Sequence, residues 1–537
     1  MVLLLSHCAQ IVPLTGGEPD RSPPVLLEAV PANNSTGFTG GEIVLRFDEY
    51  VQLKDLNNQL MISPRLRTAP KVLASGKTVV VTFKTGELQP GTTYRIDFGK
   101  AIADMNESNS LPNFSYVFST GEMIDTLKLS GSVTTASNNA AGRETIVGLY
   151  RQSDTLTASE QDSLLYLFPP DYSARTSESG QFTISNLPAG IYYIYALNDN
   201  NRNNIYDGGA EKVAFLNEHL VLNSDSTVSL RMFLEEPPAI FVKRSFSAIY
   251  GAATIILNTR AAVSMKPLNH LLTPYLHETR KNVLKDTVEI FYHNINDSLS
   301  LALSYKGSVK RDTVHILLPE NRASGKRLRT FKTNTGTGLL RPQEELSMTF
   351  PVWMDTTYIR RDRLKMAADE DSAIGGRTAA MRWLDIRTLL INAPLKSGIT
   401  YKLKPDTGFV RDLDGVSNDT AQIVFTKQDK AELSKLTLNI RVQQKRPYVL
   451  QLINGAGSVV AERAFEPALS SSNMVQINFE DLLPGTYRAK VIFDDNANGR
   501  WDTGHLIKRL QPEKVLTPAK EFKLLADWEV EETLEVK

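Results

Sequence analysis

A single cysteine, Cys8, stands in 537 residues, and histidine is nearly as scarce, at seven. One cysteine can form neither a disulfide within the chain nor a cysteine-ligated metal cluster. The histidines share no local ligand spacing. His277-Glu278 opens the pattern of a helix-borne zinc protease, but position 281 is Lys rather than His. A surplus of charge is missing as well, since Lys+Arg and Asp+Glu are both 60. A nucleic-acid-binding face would leave a basic excess, so this balance argues against nucleic acid as a partner. It argues equally against electrostatic attachment to anionic lipid. No stretch approaches the ~18–20 apolar residues that cross a bilayer as a helix. The chain has no Gly-x-Ser-x-Gly elbow and no Walker phosphate loop. Gly336-Thr-Gly338 runs directly into Leu339-Leu340 and reads as a turn.

What is present is β-structure in repeated form. At this length roughly four or five domains of ~100–150 residues are expected. Short β-branched runs such as Ile43–Phe47, Thr78–Phe83, Ala252–Leu257, Asp286–Phe291, Leu299–Leu303 and Asp312–Leu317 alternate in period two between polar turns. Helical signal is scant: Ser159–Leu167 and Ala367–Met381 read at most as short helices in loops.

Two pairs of segments match each other. In the first pair, Leu88-Gln-Pro-Gly-Thr-Thr-Tyr94 answers Leu395-Lys-Ser-Gly-Ile-Thr-Tyr401. An aspartate turn follows each, at Asp104–Asn106 and Asp412–Asp414, and then a strand ending in Phe118 or Phe425. In the second pair, Leu187-Pro-Ala-Gly190-Ile-Tyr192 aligns with Leu482-Leu-Pro-Gly485-Thr-Tyr487. Gly180-Gln-Phe-Thr-Ile184 before the Pro-Gly-type turn reads as a hairpin in which one glycine takes positive φ.

On these residues, together with Pro23-Pro-Val-Leu26, the Pro31–Asn34 turn and the Tyr116–Thr120 close, residues 23–120 resemble the bacterial Ig-like domain of the SbsA S-layer type. The chain resembles lipoproteins of Bacteroidetes-type bacteria in which Cys-Ala-Gln and a Thr-Gly-Gly tether lead into this domain. The second pair resembles prealbumin-like (carboxypeptidase-regulatory-like) sandwiches, accessory modules of carboxypeptidases and carbohydrate-uptake proteins. The expected fold is all-β, a tandem array of about five β-sandwich modules. Their divisions are 1–22, a truncated signal, lipobox and tether; 23–121, Ig-like; 125–234, prealbumin-like; 238–335, an Ig-like variant; 339–428, a second Ig-like copy with an insertion around Ala367–Arg382; and 432–533, a second prealbumin-like copy.

Two features carry chemistry. The apolar run Val2–Leu5 ends at Ser6-His7-Cys8 and then turns Pro/Gly-rich, which resembles a lipoprotein signal ending at a lipidated Cys8. Leu5 and Ser6 fit the lipobox, whereas His7 departs from it. The run is short and lacks a basic start, so the true signal is expected to begin upstream. A chance cysteine in a frayed terminus is the alternative. The second feature is a repeated acidic loop. Asp199, Asn201, Asn203 and Asp207, and again Asp494, Asn496, Asn498 and Asp502, stand at loop positions 1, 3, 5 and 9. These are early ligand positions of an EF-hand calcium loop, and Ca²⁺ takes hard oxygen ligands. Position 12, where a bidentate Glu belongs, holds Ala210 and His505. Two carboxylates per loop imply weak Ca²⁺ binding, on the order of 10⁻⁴–10⁻³ M. The competing reading is a loop of Asx turns with Tyr206 or Trp501 packed on the sandwich.

The function expected is a non-catalytic scaffold: an outer-membrane lipoprotein on the periplasmic face, membrane-held by its lipid, with a protein or glycan partner. The alternative is a hydrolase or processing enzyme at a module junction, its likeliest loops Arg360–Lys365 and Asp369–Trp383; the solvated-surface reading of those loops is preferred.

Overall fold

A computed structural model describes residues 20–152, 158–236, 239–269, 285–295, 297–306, 308–320, 331–368, 373–375, 379–467 and 474–537, with backbone alone at 158–162, 285 and 373–375. The lipobox with Cys8 and the pair His277-Glu278 lie outside these residues. The protein is all-β, a series of β-sandwich modules. The backbone groups into two compact units, Met1–Glu235 with Trp501–Val515, and Glu236–Arg500 with Leu516–Lys537.

The first unit opens with the four-stranded sheet Leu26–Val30, Glu42–Phe47, Thr78–Thr82 and Lys71–Ser75. A three-stranded sheet, Met61–Ser63, Thr93–Asp97 and Ser115–Ser119, faces it. Alternation does the sorting: Ile43, Leu45 and Phe47 are buried between strand neighbours that are not. They pack with Val79, Val81, Tyr94 and Phe118 in one core.

The following strands form one continuous sheet. Its order is Tyr172–Arg175, Ile146–Arg151, Gly190–Leu197, Lys212–Phe215, Ser226–Leu234, Leu127–Thr135 and Gln181–Leu187, with Leu220–Leu222 off the path on Gly190–Leu197. The first and last long strands, Leu127–Thr135 and Ser226–Leu234, pair in parallel over seven residues. Gly131 permits their approach, because a Cβ there would lie 2.2 Å from the Val228 carbonyl oxygen. Ala158–Leu167 is a helix, as its sequence suggests. The segment Trp501–Val515 completes this unit. Leu506 enters an aromatic cluster with Tyr150, Tyr206, Phe215 and Phe233, and Thr503 Oγ1 donates to the Leu234 carbonyl at 2.7 Å.

The second unit holds three further cores, centred on Ile255, Ile290 and Leu301; on Met348, Leu389 and Tyr401; and on Leu438, Leu450 and Val491. In the last of these, Ser434–Val442 and Glu529–Val536 repeat the parallel pairing, over eight residues.

Three sequence expectations change. The described residues of Ala367–Met381 are not helical: Leu364–Ala368 and Ala373–Gly375 pair antiparallel, and Ala380–Trp383 joins Thr388–Asn392. Nor is this stretch a solvated insertion throughout, since Ala379 and Met381 are core residues. The Gly180–Ile184 region is no hairpin either. Gln181–Leu187 pairs with Leu127–Thr135, whereas Gly190–Leu197 pairs with Ile146–Arg151. Consecutive strands thus cross between sandwich faces. The cause is a bulge just before the turn, where Asn186 takes φ 60° and register shifts between Leu127 and Leu129. The second copy repeats it, with Asp481 at φ 54° and a shift between Ser434 and Leu436. Gly180 does take positive φ, 77°, at the turn entering its strand.

Candidate functional site

The first acidic loop leaves the strand Gly190–Leu197. Asp199 Oδ1 accepts the N–H groups of Arg202 at 2.7 Å and Asn203 at 3.2 Å, and Oδ2 accepts that of Asn204 at 2.8 Å. Asn201 Oδ1 accepts the Asn203 N–H, and Asn203 Oδ1 the Ile205 N–H. These nested Asx turns follow from short side chains that fold back on their own backbone. Asp207 Oδ2 receives the amide Nδ2 groups of Asn201 at 2.5 Å and Asn203 at 2.9 Å. All four predicted residues are therefore in one hydrogen-bonded cluster.

The second loop begins in the same way. Asp494 Oδ1 accepts the Asn498 N–H at 3.0 Å and Oδ2 the Gly499 N–H at 2.7 Å, while Asn496 Oδ1 also accepts from Asn498. Position 6 takes positive φ in both copies, Asn204 at 58° and Gly499 at 78°. Position 4 does so too, Arg202 at 63° and Ala497 at 58°. A left-handed alanine costs about 1 kcal/mol or more and has to be held by its surroundings.

Sequence reasoning missed two residues here. Glu211 is buried, and its carboxylate accepts the N–H groups of Asn200 and Asp207, each at 3.0 Å. Glu513 is buried likewise, and its Oε2 accepts the Asp502 N–H at 2.9 Å. Its carbonyl receives Trp501 Nε1 at 3.1 Å. A signal existed, the shared tripeptides Glu211-Lys-Val213 and Glu513-Lys-Val515, but the insertion before the second hides it from gapless alignment. Ala210 and His505, at position 12, supply no carboxylate; the His505 ring lies 3.3 Å from Glu235.

Chemically, each loop is a shell of oxygen atoms that already serves backbone amides. A hard cation would require the Asn201 and Asn203 amides to turn their oxygens, not their nitrogens, towards Asp207. Elsewhere the same use of carboxylates recurs. Asp104 accepts the N–H groups of Glu107, Ser108 and Asn109, and Asp412 Oδ1 those of Asp414 and Val416. The stretch Arg360–Lys365 is a short 3-10 turn and strand start in which Arg360 pairs with Asp362 at 3.2 Å.

No curated protein sequence matches the chain. Among solved structures, the major pilin subunit BcpA of Bacillus cereus aligns at 8% identity over 76% of this chain and 99% of its own, with a TM-score of 0.14. The S-layer protein rSbsC(31-844) aligns at 12% identity over 92% of this chain and 67% of its own, with a TM-score of 0.15. The Bacteroides ovatus protein SGBP-B from a mixed-linkage glucan utilization locus, solved with a mixed-linkage heptasaccharide, aligns at 8% identity over 67% and 89%, with a TM-score of 0.17. Likeness at these TM-scores carries no argument about this chain. Residues 20–120 match the family of the bacterial Ig-like domain, which agrees with the resemblance read from 23–120.

Proposed function

We propose that this protein is a non-catalytic scaffold, a lipoprotein anchored through Cys8 to the outer membrane and facing the periplasm, whose modules bind or brace a protein or glycan partner. One observation carries the non-catalytic part. Among the described residues five carboxylates are buried, Asp104, Glu211, Asp412, Asp494 and Glu513. Each accepts at least one backbone N–H in its own loop. A hydrolase of the glycosidase kind needs two carboxylates converging on one bond, with lone pairs facing substrate. Here burial and hydrogen bonding serve to close turns.

The acidic loops at Asp199–Asp207 and Asp494–Asp502 are proposed as weak Ca²⁺ sites that stiffen the modules and take no part in chemistry.

Expression in cells with intact lipoprotein processing and fractionation of the envelope tests the anchor. Wild type should sediment with membrane and Cys8→Ala should be released, because each buried acyl CH₂ contributes about 0.8 kcal/mol. Wild-type protein found soluble in cells with intact lipoprotein processing would overturn this reading.

A further inference from the structure

We infer that the cleft between the first two modules, within the first unit, is a binding site for a carboxylated oligosaccharide, a chain of uronic-acid type. The inference rests on the binding-scaffold reading and names its site. The cleft has a volume of about 1100 Å³. That is at or above the upper end of ordinary ligand pockets, roughly 300–1,000 Å³. One wall is the loop Pro64–Arg67 and the turn Gln89–Thr92; the other is Arg151-Gln152, Phe168–Tyr172 and Pro188.

The walls are fixed before any ligand arrives. Arg65 N–H donates to the Asp171 carbonyl at 2.9 Å, and its guanidinium reaches the Asp171 carboxylate at 3.3 Å. The linker residue Asp125 is held from both sides, its N–H by Thr93 Oγ1 at 2.9 Å and its carbonyl by Asn186 Nδ2 at 3.0 Å. Both turns in the rim are braced by tyrosines: Tyr94 Oη accepts the Gln89 N–H, and Tyr192 Oη donates to the Pro188 carbonyl, each at 2.8 Å. Preorganised walls spare a ligand the cost of ordering them.

Charge then selects the ligand. Three guanidinium groups line the cleft, Arg65, Arg67 and Arg151, against two carboxylates, Asp125 and Asp171. Asp171 is engaged by Arg65 and also accepts the Arg151 N–H at 2.9 Å. Among the described residues neither Arg67 nor Arg151 has a carboxylate in ion-pair range. A guanidinium fork matches a carboxylate in two parallel hydrogen bonds. Flat apolar faces complete the match. Phe168 is 45% exposed although the Arg65 guanidinium stacks 5.1 Å from its centroid, and Pro64, Pro169 and Pro188 lie alongside. Such faces suit the C–H faces of pyranose rings. A second recess between the same modules, about 640 Å³, sets Arg95, Lys100 and Arg175 against Asp97, Glu144 and Glu178, so it carries no excess of cations, and Arg95 already pairs with Asp97 at 3.5 Å.

Calorimetry on the full chain with oligogalacturonate, cello-oligosaccharide and a polyglutamate peptide tests this. Oligogalacturonate should bind, more weakly as salt rises, and the neutral sugar should not. Arg67→Gln and Arg151→Gln should each weaken binding about tenfold or more without moving the melting temperature. Phe168→Ala should weaken it while leaving its salt dependence intact. Absent binding, equal affinity for the neutral sugar or the peptide, or an unchanged Arg67→Gln/Arg151→Gln double variant would overturn the inference. Mass spectrometry of the recovered sugar separates the two readings: shortened chains would sink the non-catalytic reading and leave the cleft standing.

Discussion

At the scale of single residues, the repeated motifs resolve into two different tyrosine braces. In the Ig-like pair the phenol oxygen accepts a backbone N–H five residues upstream, Tyr94 from Gln89 and Tyr401 from Lys396, both at 2.8 Å. In the other pair the hydroxyl donates to a carbonyl four residues upstream, Tyr192 to Pro188 at 2.8 Å and Tyr487 to Leu483 at 2.7 Å. Each Tyr→Phe substitution should cost about 1 kcal/mol of stability, read from denaturant midpoints at unchanged slope. The sequence made the tyrosines conspicuous but not their bonds, because the partners are backbone atoms that any residue supplies. Glu211 and Glu513 stayed hidden for a related reason: their role depends on where a loop returns, and the two loops differ in length. Asp104 adds a pH dependence. Burial pushes its carboxyl up, but the amides of Ser108, Asn109, Glu107 and Asn106 outweigh this and hold it below its usual value. Its folded pKa therefore lies below the unfolded value of about 3.9. The stabilisation is complete above that value and is lost as pH falls through the folded pKa. In acid titrations followed by circular dichroism, Asp104→Asn should be less stable than wild type at pH 7 and decline less steeply below about pH 4.

At the scale of elements, period-two alternation located the strands well. Ser298–Tyr305 and Arg311–Leu317 overrun the runs read from sequence by a residue or two. What alternation could not reveal is partnership. The bulges at Asn186 and Asp481 send consecutive strands to different faces, and polar residues of that kind look like ordinary turn residues in a string. The stretch 367–381 misled for another reason: its alanines favour helix intrinsically, and sheet pairing prevailed over that weak preference. The acidic loops yield a sharper test here than their spacing alone would suggest. Asp199 and Asp494 cap backbone amides, so alanine at either should lower stability with or without metal. Among the described residues the Asp207 carboxylate receives side-chain amides rather than backbone N–H groups, so Asp207→Ala should change metal-free stability little. If Ca²⁺ binds, wild type in calcium at about ten times Kd should gain roughly 1.4 kcal/mol per site, and Asp207→Ala should lose the share of its own loop. Equal, small effects of Mg²⁺ and Ca²⁺ in thermal melts would leave the Asx-turn reading in place.

At the scale of the whole molecule, separate cores predict separable modules, but the junctions differ in how firmly they are held. Gly121 offers its carbonyl to the Gly37 N–H at 2.8 Å, and Asp125 is bonded on both sides. Residues 336–337 are exposed in a turn with open space around Gly336. Limited proteolysis should therefore cut near residues 336–337 well before 121–125, since cleavage requires local opening of the backbone. Early cleavage at 121–125, seen by mass spectrometry of the first fragments, would mean the linker bonds are weak. The parallel pairing of the outermost strands has a mechanical consequence. Because Leu127–Thr135 runs beside Ser226–Leu234 in the same direction, a module's entry and exit lie at opposite ends of one strand pair. The same holds for Ser434–Val442 beside Glu529–Val536. Tension along the chain then loads these ladders in shear, so their hydrogen bonds must fail together and cannot unzip one at a time. Such a module is a poor spring and a good tie-rod.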